Sequence, residues 1–318
     1  MLLARVSAIA DTLRAGADAS EDRRSLVPES MRALRESGLL AALVPEEVGG
    51  YQVDPITEME LIEAVCAIDG STGWSFWALA GSTARVASML PTAAAGDVFT
   101  PGEPFPMFAF QEHPFGNLVQ PKPQGLMVSG HWPFGTGVAD VDWVVAVGGV
   151  DPSARRGPWP DSKLLAAAVP ISQVSVVDTW DAAGLSGTGT FDYRIEDVLV
   201  PWSRVWAYPP GAPLRGGAHF CFRRAPIKHI GFALGVARSS LTGLTQHIGY
   251  RAACVGTLRG AVVSDLVRSE LSLDAARALA LATIADVWNE ARQAGLIVAE
   301  SQRRLRATAR YVTEVAVD

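Results

Sequence analysis

Residues 184–201 read GLSGTGTFDYRIEDVLVP. A Gly-Thr-Gly turn leads here into a run that alternates apolar and polar residues, and this pattern predicts a β-strand that ends at a proline. The glycines stand in the wrong order for a dinucleotide-binding fingerprint, and they precede a strand instead of opening a helix. The stretch therefore argues against a Rossmann site and against a P-loop.

A second Gly-Thr-Gly turn lies in GHWPFGTGVADVDW, residues 130–143. Two aromatic residues precede this turn, and an apolar run follows it. Glycine lets backbone N–H groups approach a flat ligand closely, and a threonine hydroxyl can donate or accept a hydrogen bond at its edge. Two interpretations are open at this point: an ordinary hairpin turn flanked by core residues, or a wall against which a flat ligand lies.

The order of predicted elements is helical, then β, then helical. Pro28 and the Asp54-Pro55 pair are helix start signals, and we expect Gly70 to end one helix and Ser71 to cap the next. Short β-type runs predict a compact antiparallel domain with strands at 126–132, 143–150, 164–169, 174–177 and 191–200. Residues 151–163 read as an exposed hairpin connection, and helices are predicted at 226–250, 261–294 and 296 to the end.

From these patterns we predict three domains. They are an N-terminal α-helical domain at 1–105, a central β-barrel-like domain at 106–215 and a C-terminal helical bundle at 216–318.

The bulk composition excludes several classes of protein. The chain has 318 residues, of which 49% are hydrophobic, so it can bury a full core. It has no apolar run long enough for a membrane span, and a net charge of -6 argues against nucleic-acid binding. Its three cysteines are far apart, which predicts reduced thiols in a cytoplasmic protein.

Charge is distributed unevenly along the chain. Residues 198–264 contain no acidic residue, yet they carry eight basic ones: Arg204, Arg215, Arg223, Arg224, Lys228, Arg238, Arg251 and Arg259. This excess predicts a site for an anion such as a phosphate. The alternative is that these are solvated helix residues that pair with acids elsewhere in the fold or on another subunit.

Familiar catalytic patterns are absent from the sequence. The five histidines lack metal-ligand spacing, so we predict no metal site. There is no G-x-S-x-G elbow. We assign no residue as a catalytic acid or base.

Three longer segments resemble a known superfamily. They are ALRESGLLAALVPEEVGGYQVDPITEMELIEAVCAIDGSTGW (33–74), VSGHWPFGTGVADVDWVV (128–145) and TWDAAGLSGTGTFDYRIEDVLVP (179–201). Together they are similar to landmarks of the acyl-CoA dehydrogenase fold, and the resemblance covers about residues 20–315. The pattern W-x-F-x-T-G in the second segment points to the oxygenase components of two-component flavin-dependent monooxygenases, the p-hydroxyphenylacetate hydroxylase-like branch.

The resemblance implies an α+β fold with an N-terminal helical domain, a central antiparallel β domain and a C-terminal helical bundle. Flavin would lie between the last two, usually in a tetramer. Such a bundle has four helices, and this chain ends at Asp318 after the third predicted one. We therefore expect an incomplete bundle that lacks its last helix.

The resemblance also implies which residues bind the flavin. The first turn and its strand would face the flavin ring, with Thr136 where the superfamily places a hydroxyl near flavin N5. The second turn would be another flavin-facing wall, and a bundle arginine would reach the flavin phosphate. The implied residues are Trp132, Phe134, Thr136, Gly137, Thr188, Gly189 and Arg251.

Three residues are implied to line the substrate cavity. Trp74 matches a helix residue that lines it in the superfamily. Gln111 stands at a loop position where the oxygenase branch usually has a serine, and His113 follows in the same loop.

The leading hypothesis is an oxygenase component that takes reduced FMN or FAD from a separate flavin reductase. It would form a C4a-(hydro)peroxyflavin and hydroxylate a small aromatic or natural-product substrate, as a homotetramer or dimer, with no nucleic-acid or membrane partner. One alternative is an acyl-CoA dehydrogenase-type desaturase, which needs a glutamate base and a CoA site. The other is a catalytically reduced homologue that acts as a scaffold or partner subunit.

Overall fold

The computed structural model describes residues 1–100, 102–113, 117–150, 157–159, 161–220, 225–255 and 260–318, without the side chains of 225, 251–255 and 261. Five helices come first: α1 (Leu2–Arg23), α2 (Pro28–Glu36), α3 (Pro55–Cys66), α4 (Gly70–Met89) and α5 (Thr92–Val98).

Helix starts follow the predicted signals with one correction. Pro28 opens α2, and the Asp54 carboxylate caps α3 by accepting the N–H groups of Ile56 and Thr57. The prediction that Gly70 ends a helix and that Ser71 caps the next was wrong. Gly70 is the first residue of α4, and its cap is Asp69, whose carboxylate accepts the Thr72 N–H. Aspartate is favoured at this position because its oxygen reaches the unpaired N–H groups of the first turn.

The middle of the chain forms an eight-stranded sheet. Its strands are β1 (Phe108–Phe110), β2 (Leu118–Lys122), β3 (Gly125–Gly135), β4 (Trp143–Val150), β5 (Leu164–Pro170), β6 (Ser175–Val177), β7 (Phe191–Pro201) and β8 (Val205–Tyr208). The order is β6-β7-β3-β2-β4-β5-β8, with β1 beside β4.

The sequence predicted five of these strands and missed β1, β2 and β8. β1 and β8 have only three and four residues, too few to show an alternating pattern, and β2 has a single buried position, Val119, and contains a proline. The sheet is also not wholly antiparallel, because β1 and β2 both run parallel to β4. The predicted connection 151–163 lies mostly outside the described residues, but the strands that it joins, β4 and β5, are antiparallel as expected.

Three long helices follow: α6 (Ala225–Val255), α7 (Gly260–Ala294) and α8 (Ala299–Val317). Their buried apolar residues form a second core with Met59 of α3, separate from the larger core that joins the N-terminal helices to the sheet. This arrangement confirms the predicted α+β class, with one helical region before the β domain in the chain and another after it. Among the described residues, no helix is long and apolar enough to span a membrane.

Close packing of α6 on α3 depends on a glycine. A Cβ at Gly235 would stand 2.5 Å from the Glu63 carbonyl oxygen and 2.5 Å from Cys66 Cβ. Gly235→Ala is therefore expected to lower the free energy of unfolding by about 1–3 kcal/mol through overpacking. Gly243, in the same helix, has open space around it, so Gly243→Ala should raise stability by about 0.5–1 kcal/mol. Urea unfolding of the two variants tests this, and equal effects would contradict the packing described.

Candidate active site

A cavity of about 750 Å³ lies between α4, the segment after β1, the end of β3, the residues after β8 and the start of α6. Aromatic side chains form much of its wall: Trp74, Trp77, Phe110, Phe134, Tyr208 and Phe220. Its charged lining residues are Arg85, Glu112 and Lys228. Such a lining, which combines aromatic rings with polar and charged groups, is suited to a flat organic ligand that carries polar substituents.

Two aromatic residues near the end of β3 have different surroundings: Trp132 points into the core, and Phe134 points to the cavity. Trp132 is fully buried, stacks on Tyr193 with ring centroids 5.7 Å apart, and donates its indole N–H to the Val147 carbonyl. Phe134 is 58% exposed and lines the cavity. Residues two apart share a face in a regular strand. Here the pairing with β7 shifts register between Trp132 and Gly135, and this bulge separates the two rings.

The backbone at this bulge is held by hydrogen bonds. Phe134 has a φ of +63°, which is unfavourable for a residue with a side chain. Asp192 accepts the Phe134 N–H at 3.2 Å and contacts His131 Nε2 at 2.8 Å. The Gln111 amide donates to the Pro133 carbonyl at 3.0 Å. These contacts fix the ring of Phe134 at the cavity.

The two Gly-Thr-Gly turns are joined behind the cavity wall. The Gly137 N–H donates to the carbonyl oxygens of Thr188 and Gly189, each at 3.1 Å. Gly137 has a φ of +66°, and a Cβ there would lie 3.2 Å from the Leu79 side chain of α4, so a larger residue fits poorly. The second turn therefore supports the first, and neither Thr188 nor Gly189 lines the cavity.

A chain of threonine hydroxyls runs inward from the wall. Thr136 lines the cavity, and its Oγ1 lies 3.1 Å from Thr190 Oγ1. Thr190 Oγ1 lies 2.7 Å from Thr188 Oγ1, which lies 2.8 Å from the Leu185 carbonyl oxygen. Thr188 and Thr190 are buried, so the chain connects a residue that lines the cavity to a backbone carbonyl in the interior.

The α4 wall carries a pair of tryptophans beside a lysine. Trp74 and Trp77 are in edge contact, with ring centroids 4.7 Å apart. The ammonium of Lys228 lies 4.9 Å from the centroid of the Trp77 ring, a favourable cation–π geometry, in space left open by Gly81. Burial lowers the pKa of the neighbouring His229, and the charge of Lys228 adds to this shift, so the imidazole is neutral at pH 7.

An ion pair closes another part of the cavity. Arg85 Nη1 lies 2.6 Å from Glu112 Oε1, and the guanidinium stands 5.6 Å from the centroid of the Phe110 ring. The Tyr208 hydroxyl donates to Glu112 Oε2 at 3.3 Å. Sequence reasoning missed this group. A signal was present, since Trp77, Gly81 and Arg85 are spaced four apart and so share one face of α4.

Comparison with known proteins fits this geometry. Residues 1–95 match the family model "Acyl-CoA dehydrogenase, N-terminal domain". This N-terminal stretch is therefore similar to the N-terminal domain of acyl-CoA dehydrogenases.

The curated proteins to which the chain is similar include monooxygenases. Indole-3-acetate monooxygenase from Pseudomonas putida is 28% identical over 93% of this chain and 75% of its own length. The pigment production hydroxylase of Rhodococcus sp. is 30% identical over 85% of this chain and 65% of its own length. The oxygenase subunit HsaA of a flavin-dependent monooxygenase from Rhodococcus jostii is 30% identical over 64% of this chain and 51% of its own length. The match therefore spans between half and three quarters of these relatives.

Solved structures of monooxygenases have a similar fold. The 3-HSA hydroxylase from Rhodococcus sp. RHA1 superposes with a TM-score of 0.86 at 24% identity, over 99% of this chain and 83% of that one. XiaF from Streptomyces sp., in complex with FADH2 and glycerol, superposes with a TM-score of 0.78 at 22% identity. This match covers 99% of this chain and 81% of XiaF. FMN-bound TdsC from Paenibacillus sp. superposes with a TM-score of 0.79 at 21% identity. This match covers 99% of this chain and 83% of TdsC.

The residues that the superfamily resemblance implied fall into distinct places. Trp74, Phe134 and Thr136 line the cavity, whereas Gly137, Thr188 and Gly189 support its wall. Trp132 does not reach the cavity, because the bulge leaves it in the core. The side chain of Arg251 lies outside the described residues.

Gln111 and His113 are not among the cavity-lining residues, whereas Phe110 and Glu112 are. This alternation continues the pattern of β1, in which successive side chains point to opposite sides. Gln111 instead ties this segment to β3 through its bonds to Pro133 and to the His113 N–H. Gln111 and His113 thus lie outside the lining of this cavity, and their assignment to the substrate site stays a prediction.

The basic excess at 198–264 does not form one anion site among the described side chains. Arg215 is buried and donates to the Ala87 and Leu90 carbonyls, Arg204 lies over Trp143, and Arg238 pairs with Asp274. Lys228 alone among the four described members lines the cavity. Arg223, Arg224, Arg251 and Arg259 lie outside the described side chains. In the part of the chain that the structure describes, no group of three His, Cys, Asp or Glu could hold a metal ion.

Proposed function

We propose that this chain is the oxygenase component of a two-component flavin-dependent monooxygenase that hydroxylates a small aromatic substrate. One observation carries the proposal. In a chain whose relatives are monooxygenases and hydroxylases, the turn that bears Thr136 faces an aromatic-walled cavity. The cofactor would be reduced FMN or FAD, supplied by a separate flavin reductase. Structural neighbours holding FADH2 and FMN support both choices.

The residues present fit a flavin. Trp74 and Phe134 offer flat apolar surfaces, and Thr136 offers a hydroxyl between them and the Gly137 turn. These residues would hold the ring, with Thr188 and Gly189 fixing the turn from behind. Reduced flavin, when bound, supplies the electrons with which one atom of O2 enters the substrate and the other leaves as water.

The chain's own contribution is to orient ligands and to exclude water. A flat ligand that covers the aromatic part of the wall would displace water from it, which strengthens each polar contact beside the ligand. Arg85 and Glu112 are held in fixed positions by each other and by Tyr208, so they can orient a polar group of the substrate. Lys228 adds a positive charge on the α4 side, where it would attract an acidic substituent.

The cavity does not favour the desaturase alternative. Such an enzyme needs a carboxylate free to remove a proton, and Glu112, the one carboxylate among the described lining residues, is already paired with Arg85 and Tyr208. The scaffold alternative is not favoured either, because the cavity is formed within the described chain and the named relatives are enzymes.

We also propose three features of organisation. The domains divide at 105/106 and 215/216, which is supported by helices that end at Val98, strands between Phe108 and Tyr208, and helices that resume at Ala225. The protein acts as a homotetramer or dimer. Exposed apolar side chains on α6 and α7 support this: Leu244, Val263, Val267, Leu271 and Leu279. A cytoplasmic location is supported by the free thiol of Cys66.

Anaerobic titration of the purified protein with reduced FMN and reduced FAD tests the function. We expect one of them to bind, and we expect admission of O2 with an aromatic probe to yield a hydroxylated product. Indole-3-acetate and resorcinol are suitable probes, since relatives are named for acting on them. If neither flavin binds in either redox state, the proposal is wrong.

A further inference from the structure

Gly81 leaves room for a charged group on the cavity side of α4. A Cβ at this position would stand 2.2 Å from Lys228 Nζ and 3.0 Å from Lys228 Cε, so a larger residue must displace both atoms. The ammonium therefore lies against the backbone of α4, beside the ring of Trp77, which is one helical turn earlier. All three residues line the cavity, so the helix presents this positive charge at the cavity wall.

The described lining of the cavity carries a net positive charge. Its charged residues are Arg85, Glu112 and Lys228, which give two positive charges and one negative charge. The Glu112 carboxylate lies in an ion pair with Arg85, one turn after Gly81 on the same face of α4. The lining carboxylate therefore offsets the charge of Arg85, and the excess positive charge stands at Gly81.

Aromatic rings lie next to this charge. Trp74 and Trp77 are in edge contact, and the Lys228 ammonium stands 4.9 Å from the centroid of the Trp77 ring. Such rings offer apolar area to the flat part of a ligand. Lys228 is half-buried, and a charge-assisted hydrogen bond from an ammonium to a carboxylate is roughly twice as strong as a neutral one. The combination suits a ligand that joins an aromatic ring to an acid group.

We infer that Gly81 makes the cavity select aromatic carboxylic acids, because it admits the Lys228 ammonium that binds the acid group. The inference rests on the proposed function and narrows its substrate class. Lys228 is the residue that touches the substrate carboxylate, and Gly81 is a positioning residue that acts through it. A neutral analogue of the same shape keeps the ring contacts and loses the ion pair, so it binds more weakly.

Matched acids and amides test the inference through binding, without turnover. The probe pairs are indole-3-acetate with indole-3-acetamide and phenylacetate with phenylacetamide, each titrated calorimetrically into the full chain. We expect the wild type to bind each acid about tenfold more tightly than its amide. Lys228→Met keeps most of the apolar stem and removes the charge, so it should bind each acid and its amide with nearly equal dissociation constants.

Two further variants separate the position of the charge from its presence. Gly81→Ala retains Lys228 but moves its ammonium from the wall, so the preference for acids should fall at least about fivefold. The displaced atoms end a flexible side chain, so the midpoint of urea unfolding should not fall. Arg238→Gln is the matched control, because it removes a charge of α6 that pairs with Asp274 outside the cavity lining. It should keep the wild-type preference.

Three results would overturn the inference. The first is a wild type that does not prefer the acids, or that binds none of the four probes. The second is a preference that stays within about twofold of wild type in Lys228→Met or in Gly81→Ala. The third is a Lys228→Met variant that keeps the preference and loses flavin affinity, which would assign the ammonium to a flavin phosphate. Failure of the wild type to bind FMN or FAD in either redox state would instead overturn the proposed function.

Discussion

Replacing Thr136 by valine is expected to uncouple flavin oxidation from hydroxylation. The variant should bind reduced flavin within about tenfold of wild type, because one hydrogen bond contributes about 0.5–1.5 kcal/mol net. It should release roughly tenfold more hydrogen peroxide per flavin oxidised, since the wall hydroxyl that faces the cavity is lost. The measurement is the yield of hydroxylated product and of peroxide for each equivalent of reduced flavin.

Thr136→Ser is the matched control. Serine keeps the hydroxyl and its contact with Thr190, so coupling should stay near wild type. Thr136 also packs beside the Gly137 turn, so thermal unfolding of both variants should be compared to confirm an intact fold. Coupling in Thr136→Val that equals wild type would remove Thr136 from the proposed site.

The second large effect concerns two aromatic residues that are neighbours in sequence and differ in role. Trp132→Ala should lower the free energy of unfolding by about 3–5 kcal/mol, because it empties a fully buried site and leaves the Val147 carbonyl without its donor. Phe134→Ala should change stability by less than about 1 kcal/mol, since the ring is mostly exposed. It should instead weaken the binding of reduced flavin several-fold by removing part of the cavity wall.

Trp132→Phe keeps this comparison usable if the alanine variant fails to fold. Phenylalanine preserves most of the buried volume and the stacking on Tyr193, so we expect a loss of about 1–2 kcal/mol with flavin affinity unchanged. Urea unfolding at one protein concentration and anaerobic flavin titration give the two readouts. Weaker flavin binding in Trp132→Phe at unchanged stability would place Trp132 at the flavin after all.

Much of the fold could be predicted because the signals are local. The Asp54-Pro55 start of α3 and the limits of β4 need only a few neighbouring residues, and both are confirmed. The short strands β1 and β8 were not predicted because each is stabilised by pairing with a strand that is distant in sequence. β1 pairs with β4, and β8 pairs with β5.

By itself, the sequence determined the order of helical and β regions and the presence of two Gly-Thr-Gly turns near aromatic residues. These properties depend on residue types and on spacing along the chain. Tertiary structure alone decided which aromatic faces the cavity, because a one-residue shift between β3 and β7 turns Phe134 outward and leaves Trp132 inside. It also joined Thr136 to the Thr188–Thr190 pair, since only the fold brings Thr136 and Thr190, 54 positions apart, within hydrogen-bond distance.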